Sequence, residues 1–256
     1  MLGLFIKHVF LGSAQRRLYK GGPVILMYHR VGTPPDDAPD PFLYDTAEEL
    51  DRHLTLAKRA GLRLVSLGGA MADGKPQPNT IAVTFDDGCL STLAEALPVL
   101  VKHGARAMQF IVSGRIGGRN EWDLSKNDVP TPLMDAGQIR EWLAAGQEIG
   151  SHTMTHRNLK KVSAEAAREE IRGSKLQLED LFGIPIRHFA FPYGGWNVPH
   201  VRDAVREAGY ESACITEFGV SASAEERWHL RRITPLTEAQ LLMKVGHRLW
   251  RKARGG

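Results

Sequence analysis

Short apolar runs alternate along the chain with longer stretches in which apolar residues recur at helical spacing. This alternation is typical of an α/β protein, in which helices cover a mostly parallel β-sheet. The pattern alone leaves two architectures open: a closed barrel of seven or eight strands and an open, doubly wound sheet. The predicted strands span residues 24–29, 63–67, 80–85, 107–112, 148–152, 188–192, 212–216 and 230–234.

Several predicted helices begin at residues whose side chains can cap a helix N-terminus. In two places the pattern is that of a capping box, in which the first residue and the residue three positions later hydrogen-bond to each other's backbone. The predicted capping positions are Thr46 with Glu49, Thr237 with Gln240, Asp135 and Ser163.

Two stretches rich in Pro, Gly and Asp, residues 32–41 and 68–79, are predicted to be loops. Neither is long enough to link two domains, and the chain shows no internal repeat. We therefore predict one α/β domain, residues 23–236. A basic amphipathic segment, residues 1–22, precedes it, and a basic helix, residues 237–256, follows it.

The composition is that of an ordinary globular protein. The chain has 256 residues, of which 43% are hydrophobic and 24% charged, so it can bury a core without disulfides or a structural metal. Cys89 and Cys214 are too few for a disulfide framework, which suits a reducing compartment. Lys7 and His8 interrupt the apolar N-terminus, which disfavours a signal peptide, with a degenerate signal as the alternative. The default expectation is therefore a cytoplasmic protein.

The positive charge of the chain lies at its two ends. The formal charge is +4 and the pI about 9.1, but no nucleic-acid-binding module is present, and we expect no nucleic-acid partner. Residues 1–22 hold four Lys or Arg and residues 240–256 hold five, without any acidic residue, so residues 23–239 carry a net charge of −5. Both ends also carry apolar residues at helical spacing. They could pack against the barrel, or make peripheral contact with an anionic membrane at its inner face.

Polar residues recur where predicted strands end: His29, Asp86 with Asp87, Ser151 with His152, and Tyr193. In parallel α/β folds the loops at the carboxyl ends of the strands converge on one face, where chemistry gathers. The sequence therefore predicts a site at this face.

Two of these strand ends carry groups that bind metals. The segment TFDDG, residues 84–88, would be an ordinary turn if it stood alone, and the two histidines of SHTMTH, residues 151–156, would be an ordinary coincidence. Together they supply two imidazoles and a carboxylate, a common ligand set for catalytic Zn²⁺. A second carboxylate then remains as a general base.

With a third segment, FAFPYG at residues 189–194, these motifs resemble the polysaccharide deacetylases, also called the NodB homology or carbohydrate esterase 4 family. The resemblance covers about residues 23–234. It implies a single distorted (β/α) barrel of about seven strands and a divalent metal, commonly Zn²⁺, with Co²⁺ or Ni²⁺ as alternatives. It also implies hydrolysis of N-acetyl groups on GlcNAc-like sugars of a polysaccharide, oligosaccharide or lipid-linked glycan.

The resemblance also implies roles for individual residues. The metal ligands would be Asp87, His152 and His156, and Asp86 would be the catalytic base. The backbone N–H of Tyr193 would stabilise the oxyanion. Residues expected at the substrate are Pro192, Gly194 and Trp196, the last with a core position as the alternative; Trp122 is a weaker candidate for sugar contact with the same alternative.

The chain departs from the family pattern in two places. Ala190 stands where many relatives have an arginine that orients the catalytic aspartate; Arg30, Arg231 and Arg232 are the candidates to replace it. The late histidine that serves many relatives as general acid is poorly matched by His247. The Tyr-His segment at the first strand resembles a subgroup in which this histidine is the acid. We therefore predict that His29 is the acid, the alternative being a histidine that merely ends a strand.

Two other functions stay open at this point. A catalytically silent carbohydrate-binding protein could use the same fold, and the replacement at Ala190 favours it. A deformylase or other deacylase of a lipid-linked amino sugar could use the same catalytic groups, because these motifs do not define the acyl pocket.

Overall fold

The computed structural model describes residues 21–35, 38, 40, 43–122, 124 and 129–235. Seven parallel strands form a nearly closed barrel in the order β1, β5, β6, β7, β8, β9 and β10, and β4 pairs with β5 beside this path. These strands are β1 Val24–Tyr28, β4 Arg63–Leu64, β5 Thr80–Phe85, β6 Ala107–Ile111, β7 Glu148–Ser151, β8 His188–Ala190, β9 Ser212–Phe218 and β10 Leu230–Arg232.

The first and last strands of the barrel meet through a short bridge. Leu26 pairs with Ile233 in parallel. The Met27 N–H donates to the Ile233 carbonyl at 2.9 Å, and the Ile233 N–H donates to the Ile25 carbonyl at 2.7 Å. The barrel prediction is therefore confirmed, and the open sheet is excluded.

The helices lie outside the barrel, and three predicted caps are confirmed. Thr46 with Glu49 forms a capping box, Asp135 forms one with Gln138, and the Ser163 hydroxyl accepts the Ala166 N–H. The predicted cap at Thr237 lies outside the described residues. The helices are α1 Ala47–Arg59, α2 Leu67–Ala70, α3 Leu97–His103, α4 Ala136–Ala144, α5 Ala164–Phe182 and α6 Pro199–Glu207.

All eight predicted strands are present, but two local predictions need correction. The strand predicted over 63–67 ends at Leu64, because the Ser66 hydroxyl accepts the Gly69 N–H and starts α2. For the same reason residues 68–79 are not wholly a loop. A two-stranded parallel sheet, formed by β2 Arg30–Val31 and β3 Tyr44–Asp45, was not predicted from the sequence.

The core has two apolar layers. Strands such as β1 and β5 are buried along their whole length, as expected for strands covered on both faces. One layer fills the space between strands and helices, and Trp142 is its largest fully buried side chain. The other fills the barrel interior with residues such as Ile25, Met108, Phe110 and Cys214. Among the described helices, none has the length and apolar character that a bilayer crossing requires.

Candidate functional site

The barrel places the polar residues that follow its strands at one end. Tyr28 is in register with Phe85, and Ile111 with Ser151, so these strands end at corresponding levels. Asp86 and Asp87 directly follow β5 and His152 directly follows β7, so register brings their side chains to one face.

Asp87, His152 and His156 form a buried cluster that fits a divalent cation. Their potential ligand atoms all lie within 4.8 Å of one another. Oδ1 of Asp87 lies 3.6 Å from Nε2 of His152 and 3.3 Å from Nε2 of His156. A tetrahedral ion with bonds of about 2.1 Å holds its ligand atoms about 3.4 Å apart, close to both distances.

The surroundings of Asp87 support this fit. Its Oδ1 is buried and accepts no hydrogen bond from a described residue, a costly arrangement unless another group engages that oxygen. Burial raises the pKa of a carboxyl group, but the neighbouring histidines, His156 first and then His29 and His152, together hold the pKa of Asp87 well below its usual range. The group is therefore an ionised carboxylate with an oxygen available to a cation.

His152 is oriented by a backbone contact. Its Nδ1 lies 2.8 Å from the Ala190 carbonyl oxygen; since a carbonyl only accepts, Nδ1 donates and Nε2 faces the cluster with its lone pair. Burial lowers the pKa of His152 to about 4, which keeps the imidazole neutral near pH 7. Metal-bound histidines are commonly fixed by such contacts.

A buried carboxylate that the sequence analysis missed holds the loop between the two histidines. Glu170, on α5, accepts the backbone N–H groups of Met154 and Thr155 at 3.0 and 2.8 Å and also the Thr155 hydroxyl. Within this loop Thr153 and His156 have positive φ values of 69° and 59°, an uncommon conformation that needs support from its surroundings. Glu170 supplies that support.

Asp86 forms a buried ion pair with Arg232. Nη1 and Nη2 of Arg232 donate to Oδ1 and Oδ2 of Asp86, both at 2.7 Å, and Nε donates to the Ile215 carbonyl. Burial raises the pKa of Asp86, but the Arg232 guanidinium more than offsets this and the pKa lies below its ordinary value. Asp86 is therefore an ionised carboxylate in a fixed orientation.

Of the three arginines predicted as candidates to contact Asp86, only Arg232 is seen to do so among the described residues. Arg231 instead pairs with Glu226 at 2.6 Å, at the edge of the barrel. Arg30 donates to the Tyr44 hydroxyl at 2.8 Å.

His29 lies beside the Asp86 carboxylate. Its Nε2 is 4.0 Å from Oδ2 of Asp86, and its side chain is 19% exposed. It is thus both near the buried site and open to solvent, as a proton donor to a leaving group must be. His247, which matches the family's late histidine poorly, lies outside the described residues.

The residues predicted to contact substrate lie in one turn after β8, but their side chains make different contacts. Pro192, Tyr193 and Gly194 belong to the turn Pro192–Asn197 after β8, and the Tyr193 ring meets the edge of the His156 ring at 4.9 Å. Trp196 stacks on His229 at 4.7 Å and donates to Glu217 at 2.9 Å. Trp196 belongs to the same turn, and its side chain packs against the core.

A groove of about 430 Å³ opens beside His156. Trp122, the weaker sequence candidate, stacks on the His156 ring at 4.3 Å with 23° between the planes. Trp122 and Tyr193 both line the groove, so two aromatic side chains flank the cluster of Asp87, His152 and His156.

The two cysteines take no part in this arrangement. Both are buried and free, and burial raises the pKa of each thiol to about 12. They are therefore unreactive thiols.

Comparison with known proteins finds relatives of this chain in sequence and in fold. A family model described as polysaccharide deacetylase matches residues 73–213, more than half of the chain. YxkH of Bacillus subtilis (strain 168), provisionally named a polysaccharide deacetylase, is 27% identical over 161 residues, which are 63% of this chain and 53% of that protein. A peptidoglycan-N-acetylglucosamine deacetylase of Bacillus cereus is 29% identical over 133 residues, 52% of this chain and 54% of that protein. The chain thus spans about half the length of these relatives.

A solved structure shares the fold. The deacetylase PplD of Streptococcus pyogenes, determined in complex with acetate, superposes with a TM-score of 0.70 at 23% identity. The superposition covers 87% of this chain and 97% of that one. The likeness extends over nearly the whole described barrel.

Proposed function

The chain belongs to the polysaccharide deacetylase family, and from this premise we propose that it is a metal-dependent hydrolase. It removes N-acetyl groups from GlcNAc-like sugars of a polysaccharide, oligosaccharide or lipid-linked glycan. The observation that carries the proposal is the unsatisfied, buried Oδ1 of Asp87 between two histidines, next to a second carboxylate that Arg232 holds in place. The name of the B. cereus relative supports an N-acetylglucosamine unit.

Asp87, His152 and His156 would hold the cation, with Zn²⁺ as the first choice for this ligand set. When bound, the cation supplies Lewis acidity to the acetyl carbonyl and to the attacking water. Asp86 accepts the proton of that water as it attacks. Arg232 keeps both Asp86 oxygens in place and ionised, so that the base needs no reorientation before the reaction.

His29 would protonate the departing amine. Its Nε2 lies near Asp86 and its side chain reaches solvent, so it can be reprotonated between turnovers. The backbone N–H of Tyr193 would stabilise the developing oxyanion, because the turn that carries Tyr193 lies against His156.

Release of acetate from N-acetylated glycans tests this proposal. We expect the full chain to release acetate from at least one member of a panel of N-acetylated polysaccharides, oligosaccharides and lipid-linked sugars. A chelator should abolish the release and added Zn²⁺ should restore it, with metal content measured in parallel. Activity that persists after the metal has been removed would contradict the proposal.

The same assay separates the alternatives. A silent carbohydrate-binding protein would bind glycans without releasing acid, but its main support, the loss of the arginine at position 190, is weakened by the Arg232 contact with Asp86. A deformylase would release formate instead of acetate from the matching N-formyl sugar.

We also propose peripheral contact with an anionic membrane through residues 1–22 and 237–256. The support is their charge and apolar spacing; apart from residues 21 and 22, both segments lie outside the described residues. In liposome co-sedimentation with anionic vesicles, the full chain should pellet more than a chain trimmed at both ends. Equal pelleting of the two chains would contradict the proposal. Membrane contact of this kind, at the inner face of the membrane, is the localisation that we propose.

A further inference from the structure

The groove beside His156 is positively charged. Arg157 and Lys161 line it together with Thr155, Asn158 and the two aromatic residues, and no described lining residue is acidic. Residues 23–239 carry a net charge of −5, so the positive charge is not a general property of this part of the chain.

Both cations are available to a ligand. The Arg157 side chain is 61% exposed, and its one ion pair with a described residue is a 3.8 Å contact between Nε and Glu170. That carboxylate is already engaged by the backbone of Met154 and Thr155. The Lys161 side chain is exposed, and within the described chain it has no carboxylate partner.

The position of Lys161 is fixed relative to His156. Lys161 ends the 3₁₀ turn Leu159–Lys161, in which Leu159 is fully buried and the Asn158 side chain caps the Lys160 N–H at 3.1 Å. Lys160, in the same turn, does not line the groove and lies instead towards Gly195. The two neighbouring lysines therefore differ in the direction of their side chains.

We propose that the substrate is an anionic glycan, with a carboxylate or phosphate group next to the acetylated sugar that Lys161 and Arg157 bind in this groove. The inference rests on the proposed deacetylase function and specifies its substrate class. A volume of about 430 Å³ lies within the range of small-molecule sites. The aromatic walls contact the sugar ring, while the guanidinium and ammonium groups bind the charge.

Binding and turnover by the Zn²⁺-loaded full chain test this inference. Chitotetraose is the neutral probe, a hyaluronan tetrasaccharide carries carboxylates, and chitobiose 1-phosphate, compared with chitobiose, carries a phosphate. Dissociation constants come from calorimetry and KM values from acetate release. The variants are Lys161→Gln and Lys161→Glu, with Lys160→Gln and Lys160→Glu as matched controls.

We expect at least one anionic probe to bind more tightly than its neutral counterpart, and the preference to shrink as salt is added. Lys161→Glu should reduce that preference by about five- to tenfold, and Lys160→Glu by less than about twofold. The anionic group is identified by the probe, carboxylate or phosphate, whose tighter binding is lost in Lys161→Glu.

Equal binding of anionic and neutral probes, absence of binding to all of them, or an equal response to the Lys160 and Lys161 variants would overturn the inference. Charge-selective binding without acetate release would instead refute the deacetylase proposal and leave the preference for anionic glycans standing.

Discussion

Replacing Arg232 with methionine is expected to lower the free energy of unfolding by about 3–5 kcal/mol at neutral pH. Arg232 is completely buried and Asp86 almost so, and both guanidinium Nη atoms donate to the carboxylate at 2.7 Å. Methionine fills similar space but leaves the Asp86 carboxylate buried without its cation. The protein must then keep an uncompensated charge or protonate it.

Arg231→Met is the matched control for this prediction. Arg231 is the adjacent residue in β10, but its side chain is 35% exposed and pairs with Glu226 near the surface. Its loss should cost less than about 1 kcal/mol. Chemical denaturation followed by circular dichroism measures both values. Equal losses of stability in the two variants would show that the buried Arg232–Asp86 pair contributes no more than the exposed Arg231–Glu226 pair.

The effect of Arg232→Met should depend on pH in a defined direction. Burial alone raises the pKa of Asp86, and Arg232 lowers it below the ordinary aspartate value. The pair therefore contributes stability above that ordinary value, about 3.9, and the contribution is lost as the pH falls through the folded-state pKa. The difference in free energy of unfolding between wild type and Arg232→Met should therefore become smaller at acidic pH.

The convergence of Asp87, His152 and His156 could be predicted from the sequence because each of them lies close in sequence to the end of a predicted strand. Asp86 and Asp87 follow one apolar run that was predicted to be a strand, and His152 and His156 lie four residues apart at the end of another. Parallel strands put their carboxyl ends on one face, so the residues that end them converge whatever the details of the loops.

The partner of Asp86 could not be predicted in the same way. Arg232 lies 146 residues from Asp86, and Arg231 and Arg232 are neighbours in a strand of three residues. Successive side chains in a strand point to opposite faces, so one of them must face the barrel interior. A strand this short has too few positions for hydrophobic alternation to show which one.

The support of the histidine loop was also hidden in the sequence. Glu170 lies within a 19-residue helix among other charged residues, such as Glu169 and Arg168. What distinguishes Glu170 from these neighbours is the packing of α5 against the histidine loop. This packing lets the Glu170 carboxylate accept the backbone N–H groups of Met154 and Thr155. The β2–β3 sheet was missed for a related reason, since strands of two residues carry no periodicity.

Replacing Asp86 with asparagine is expected to lower kcat for acetate release by about 10²–10⁴-fold, the usual contribution of a general base. Asparagine preserves the shape of the side chain but cannot accept the proton of the attacking water. It also leaves the Arg232 guanidinium buried without its carboxylate, so stability should fall as well. The assay therefore needs a temperature at which circular dichroism shows the variant to be fully folded.

The neighbouring substitution Asp87→Asn separates the two carboxylates by role. Oδ1 of Asp87 faces both histidines, whereas the Asp86 oxygens are engaged by Arg232. Asp86→Asn should therefore retain about one equivalent of Zn²⁺ although its kcat falls. Asp87→Asn should lose the metal itself. Metal content and kcat, measured on the same samples, give the comparison. If Asp86→Asn lost its metal and Asp87→Asn kept it, the assignment of base and ligand would have to be exchanged, because a carboxylate that acts only as a base has no part in holding the ion.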